Sequence, residues 1–172
     1  MISRETILEH YHSQLALLTA RYPLARWAIQ PAGVGITRSK ARYGECLPDG
    51  QVLISPYYIL TESHNHLKHT LCHEFAHLAV GLEHCHNQKF RHMERLFKMH
   101  LAPCSEAEGE AVRANVPFKY RVVAHLQDGS AVELGGVHRK TKCYSQYDPI
   151  KRVMSCKGKP VARFEFLPYG KS

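Results

Sequence analysis

The sequence predicts an α+β fold: a largely helical first part with short strands set into it, then a small β-rich unit from about residue 117. Three observations predict this. Apolar residues recur at helical spacing in three stretches between residues 3 and 101. Residues 27–60 break into short apolar runs separated by glycine, proline and Asp49-Gly50. Beyond Pro117 the runs become β-branched and aromatic, bounded by turn residues.

Taken in order, Ser3 is placed to cap a first helix, where Ile7, Tyr11, Leu15, Leu18 and Tyr22 share one face and Pro23 ends the run. Trp27-Ala-Ile and Val52-Leu-Ile read as short strands, joined by turns at Gly33, Gly35, Gly44, Pro48 and Asp49-Gly50. A second helix is expected from about Glu62 to Val80, with Gly81 as its terminator. Asn87 can cap a third, carrying Phe90, Met93, Phe97 and Leu101 and stopped by Pro103. The acidic stretch 103–116, with Ser105 and Glu108 at capping-box spacing, reads as a linker or short helix. Tyr120–Ala124, Ala131–Leu134, Arg152–Met154 and Val161–Phe166 read as strands, with Asp128-Gly129 suited to a hairpin turn. The resulting organisation is a first domain over residues 1–102, the connecting stretch 103–116, and a small basic β domain over 117–172.

At 172 residues and 44% hydrophobic, the chain can bury a real core and is neither disordered nor fibrous in composition. No apolar run reaches the roughly eighteen residues that a membrane span needs. The opening stretch interrupts its apolar run with charge and histidine, unlike a secretory signal. An intracellular, cytoplasmic protein is therefore expected, nucleoid-associated or nuclear according to the host. The six cysteines form no CxxC pair, so reduced thiols are expected. Net charge is +8, and residues 117–172 hold 11 Lys/Arg against 4 Asp/Glu, which places almost all of it in the last third. Such a surface suits a polyanion, nucleic acid ahead of a membrane because no amphipathic helix accompanies it, and otherwise serves solubility.

The chemistry is concentrated in His73-Glu74-Phe75-Ala76-His77, an HExxH string inside the second helix. Residues four apart face the same way, so both imidazoles can meet one ion while Glu74 stands near its water. A zinc with three protein ligands keeps a fourth position for water and lowers its pKa towards neutrality, and Glu74 can then take the proton as that water attacks a peptide carbonyl. The opposite face of this helix is apolar (Leu67, Leu71, Phe75, Leu78), and burying two imidazoles and a carboxylate without a shared partner would be costly. The plain alternative is an exposed polar helix face. A third ligand must come from Leu82–His86, where His84 and His86 are both available and Glu83 or Cys85 are further candidates; periodicity does not choose among them.

Thr70-Leu-Cys-His-Glu-Phe-Ala-His-Leu, followed by His86-Asn-Gln-Lys-Phe90-Arg-His-Met-Glu-Arg-Leu, resembles the SprT-like zinc metalloproteases, a family that includes a DNA–protein crosslink protease. Their pattern is HExxH, a variable turn, then a histidine with a large aromatic four residues later. The resemblance spans roughly residues 5–101 and selects His86 over His84 as third ligand. It implies a zincin-like catalytic domain with one catalytic Zn²⁺ on His73, His77 and His86, Glu74 as general base, and substrates that are DNA-associated proteins in a setting of DNA repair. Family members often carry a C-terminal zinc ribbon with paired cysteines. Here Tyr120-Arg121 runs on into Val122 and Val123, and the closing segment Val153–Gly158 keeps a single cysteine, Cys156. The last unit therefore reads as a degenerate, zinc-ribbon-like β unit whose apolar packing replaces the metal. The alternative is a rebuilt tetrahedral site from His125, His138, Cys143 and Cys156.

Candidate nucleic-acid contacts are the basic clusters Arg139, Lys140 and Lys142; Lys151 and Arg152; and Lys157 and Lys159. Tyr144, Tyr147 and Tyr169 lie among them, a mixture suited to single-stranded DNA, although tyrosines in a small β unit also serve as packing. Cys72 neighbours His73 but diverges from it by about 100° around the helix, which makes it a buried thiol and no nucleophile. His64, His66, His69, His92 and His100 are expected on polar helix faces. Two readings compete with the protease: a nucleic-acid-binding protein with a vestigial or regulatory metal site, and a metal-dependent hydrolase of a non-peptide bond.

Overall fold

The first helix, α1 (Arg4–Arg21), opens at Ser3, whose hydroxyl accepts the Thr6 N–H at 3.2 Å in the computed structural model, which describes residues 1–169. Ile7, Tyr11 and Leu18 turn inward as their spacing requires, and Gln14 is buried with them. Trp27–Ile29 is not a strand. The backbone N–H groups of Ala28 and Ile29 bond the carbonyls of Ala79 and Leu78 at the end of the second helix, and the Trp27 ring packs between Phe75 and Phe97. The run is apolar because it lies in the core. The strands are β1 (Gly33–Ile36), β2 (Gly44–Cys46) and β3 (Gln51–Ile54), in sheet order β1-β3-β2. β1 runs parallel and β2 antiparallel to the central β3, which leaves β2 on an edge.

Helix α2 (His64–Val80) buries Leu67, Leu71, Phe75 and Leu78, each worth about 1.5–3 kcal/mol of apolar burial. Gly81 ends it at φ 99°, a conformation that costs glycine little. Asn87 then caps α3 (Gln88–Lys98) by accepting the Phe90 N–H at 3.1 Å. Phe90, Met93 and Phe97 of α3 pack against α2. The acidic stretch forms α4 (Glu106–Ala114), with Ser105 accepting the Glu108 N–H. The Glu108 carboxylate bonds the Asn65 N–H at 2.9 Å, and its carbonyl accepts from Ser63 Oγ. It thereby satisfies an otherwise orphaned donor at the start of α2, where the helix dipole favours an anion.

The chain divides into two compact units, Met1–Val116 and Pro117–Ser172. The second is an antiparallel sheet of β4 (Tyr120–Leu126), β5 (Ala131–Val137), β6 (Ser155–Cys156) and β7 (Lys159–Pro168), in order β5-β4-β7-β6. Gly129, at φ 85°, turns β4 into β5. Arg152–Met154 is not a strand; the β6–β7 hairpin turns instead on Lys157-Gly158, both at positive φ. Val122, Ala124 and Leu126 alternate inward along β4, and Val161, Phe164, Met154 and Cys156 pack with the last two. A short helix, α5 (Lys142–Ser145), brings Tyr144 onto Phe164. No helix among the described residues is long and apolar enough to cross a membrane.

Candidate metal centre beside a buried carboxylate

His73 and His77 lie one turn apart on α2 and face the same way. The tight turn through Gly81 and Cys85, both at positive φ, brings His86 back over them. The three ring centroids form a nearly equilateral triangle with sides of 5.0, 5.2 and 5.0 Å. One ligand atom from each ring lies within 4.8 Å of the other two, and no other group of three or more such side chains occurs among the described residues. Nε2 of His73 and Nε2 of His86 are 3.3 Å apart. Phe90, only 1% exposed, is the floor of the cluster: it stacks on His77 at 4.1 Å and meets His73 and His86 at 5.0 and 4.9 Å. His84 stands outside it, hydrogen-bonded to Asn87 and Lys89.

Burial, reinforced by the two neighbouring imidazoles, pushes the His77 pKa down to about 4. His73 is lowered by burial as well, with Glu94 opposing. Both rings are thus held neutral near pH 7, the form that offers a lone pair to a metal. Nδ1 of His73 lies 2.7 Å from Glu94 Oε1, and Lys98 Nζ reaches the same oxygen at 2.6 Å.

Glu74, the next residue after His73 on α2, lies against β2 and is 4% exposed. Burial drives its carboxyl up to about 7; the Cys46 thiol against it opposes that shift, and the charge of Glu45 adds to it. Close approach of β2 depends on Gly44, where a Cβ would sit 3.0 Å from Glu74 Oε1 and 2.8 Å from Thr70 Cγ2. Glu74, the three histidines and β2 line one cleft of about 780 Å³, which continues along α2 past Thr70 to His69 and His66. His66 hydrogen-bonds the Tyr58 hydroxyl at 2.6 Å and His69 reaches the Ala102 carbonyl, so neither is a free solvated residue. Cys72 is fully buried, as expected of an inert thiol.

The seven candidate nucleic-acid contacts, Arg139, Lys140, Lys142, Lys151, Arg152, Lys157 and Lys159, are all exposed in the second unit. Lys159 pairs with Asp128 at 2.7 Å, and Lys140 lies over the Tyr120 and Phe166 rings. Tyr147 is a packing residue, its hydroxyl donating to the Val161 carbonyl and accepting the Met154 N–H, whereas Tyr169 is 44% exposed. His125, His138, Cys143 and Cys156 are not gathered into a tetrahedral set. His125 pairs with Glu165, His138 packs on Phe118, and Cys143 is exposed while Cys156 lies against the apolar core. The residues that the sequence reading passed over are Glu94, Lys98, Gly44 and Cys46. A signal for two of them exists: Phe90, Glu94 and Lys98 follow one another at steps of four, a single row on the α3 side that faces the cluster.

Fold and site together define an α+β protein with a three-histidine cluster, able to hold a metal ion, on an HExxH helix. The family model for the SprT-like family matches residues 12–119, and the chain belongs to that family, which is metal-dependent and associated with metalloprotease activity. No curated protein and no solved structure is significantly similar to it.

Proposed function

We propose that the protein is a zinc-dependent endopeptidase acting on DNA-associated proteins. The observation that carries this reading is the placement of three converging imidazoles beside a buried, proton-avid carboxylate in one cleft. The donor set fits zinc. A tetrahedral ion with bonds of about 2.0–2.1 Å holds its ligand atoms about 3.3–3.4 Å apart, and His73 Nε2 and His86 Nε2 are separated by 3.3 Å. His73, His77 and His86 would hold the ion, which when bound supplies Lewis acidity to water and to the scissile carbonyl.

The remaining work falls to the chain. Glu74, buried beside the three histidines in the cleft, takes a proton from the attacking water and returns it to the departing amine. Burial suits it to accept the proton, because it raises the proton affinity of the carboxylate above that of one in water. Edge strand β2, paired only with β3, runs along the cleft and offers main-chain groups to an extended peptide. This supports a peptide over a small amide or ester. The net charge of +7 on residues 117–172 supports delivery to DNA.

The test is cleavage of an unstructured protein by the zinc-loaded chain, with and without single-stranded DNA, beside the Glu74→Gln variant. Wild type should cleave. The variant should keep zinc and lose about 10²–10⁴-fold in rate. Metal-independent DNA binding with no cleavage would replace the protease by a binding protein, and turnover of small esters alone would replace it by a non-peptide hydrolase.

A further inference from the structure

On α3, Glu94 meets the first histidine of the cluster from behind. Its Oε1 is 2.7 Å from His73 Nδ1 and 2.6 Å from Lys98 Nζ. An ionised carboxylate has only acceptor sites, so the ring must be the donor and carry its hydrogen on Nδ1. That leaves the lone pair on Nε2, the atom that stands 3.3 Å from His86 Nε2 across the cluster. The arrangement is held from two directions. Phe90, one turn before Glu94, lies edge-on to the His73 ring, and the Lys98 ammonium, one turn after, pins the carboxylate and balances its charge. Glu94 and Lys98 are both only partly exposed, with side chains 23% and 26% accessible, so this ion pair is screened less than one in open water.

We infer that Glu94 is a positioning residue that fixes the tautomer and orientation of His73 for metal binding, with Lys98 holding Glu94 in place. The inference rests on the zinc-site reading above and extends it to residues outside the three-histidine ligand set. A histidine ligand that must select its tautomer and ring angle on binding meets the metal with a cost that a preset ring has already met, and carboxylate partners of this kind typically alter metal affinity 10–100-fold.

Two readouts, neither of them catalytic, test this. Zinc affinity by competition with a chromophoric chelator should fall about 10–100-fold in Glu94→Ala. Long-range ¹H–¹⁵N correlation on the metal-free protein at pH 8 should show His73 as the Nδ1–H tautomer in wild type and as a mixture in Glu94→Ala, the resonance being assigned by its loss in His73→Ala. Glu94→Leu keeps the volume without an acceptor and serves if the alanine variant does not fold. Glu94→Gln, which keeps an acceptor oxygen, should restore the tautomer and part of the affinity. Wild-type affinity or an unchanged tautomer in the acceptor-less variants overturns the inference. Wild-type zinc affinity in His73→Ala would instead bring down the metal-site reading itself.

Discussion

Replacing Glu74 by Gln in the metal-free protein should stabilise it, by an amount that grows with pH. The side chain is 4% exposed, and the Cys46 thiol and the charges of Arg42 and Lys98 offset its burial only in part, so the ionised form is poorly compensated. Burial raises its pKa from an ordinary 4.5 to about 7 in the folded chain. The folded state therefore binds this proton more tightly than the unfolded state does. The associated stability is fully present below pH 4.5 and is lost as pH rises through about 7. A displacement of that size corresponds to about 3 kcal/mol, since each pKa unit is worth about 1.4 kcal/mol. Set against a typical domain stability of about 5–15 kcal/mol, that is a large fraction. Gln at this position fills the same space and does not titrate. The difference in unfolding free energy between variant and wild type should thus widen by up to about 3 kcal/mol between pH 4.5 and pH 8. Urea unfolding of both proteins across that range in the presence of a chelator measures it. Added zinc should narrow the gap, because a nearby cation compensates the carboxylate. A difference that stays constant with pH, or narrows towards pH 8 in the chelated proteins, would refute the reasoning.

Two further outcomes test ligand assignment and recruitment. His73→Ala, His77→Ala and His86→Ala should each lose zinc, whereas His84→Ala, whose ring is tied to Asn87 and Lys89, should keep it; metal content per chain decides, and the reverse pattern at 84 and 86 would reassign the third ligand. The +7 of residues 117–172 should give DNA binding that weakens with salt at a log–log slope of about −0.7 per phosphate on single strands. Replacing Arg139, Lys140 and Lys142 by Ala should flatten that slope by up to about 2 in fluorescence anisotropy. Equal binding by a folded fragment ending near residue 116 would leave the basic tail without a role in recruitment.

The helices of the first unit were legible because capping and periodicity are local: Ser3, Gly81, Asn87 and Ser105 act at or beside helix ends as their positions suggest. The convergence of His73, His77 and His86 was legible too, the last by family resemblance and not by spacing. What sequence alone did not disclose is long-range. Trp27-Ala-Ile looks like a strand because core loops and strands are apolar alike, and only its bonds to the end of α2 distinguish them. Glu108 looks like a capping-box partner for Ser105, yet its carboxylate is used 43 residues away at Asn65. Gly44 read as turn punctuation, whereas its lack of a side chain is what lets β2 lie against Glu74. Arg152–Met154 had strand composition but gave way to the hairpin set by Lys157-Gly158. In each case the deciding partner lies in another element, where no periodicity within a single segment reaches.

Phe90 has a consequence for how such a protein can change over time. The same ring closes the apolar core between α2 and α3 and supports all three imidazoles. Most core positions tolerate volume-conserving exchange because neighbouring side chains repack. Here the neighbours on one side are the three imidazoles, and they have no freedom to repack without ceasing to converge. Drift that the rest of the core absorbs is blocked at this position, which binds the folding of the unit and the convergence of its three imidazoles to one aromatic side chain.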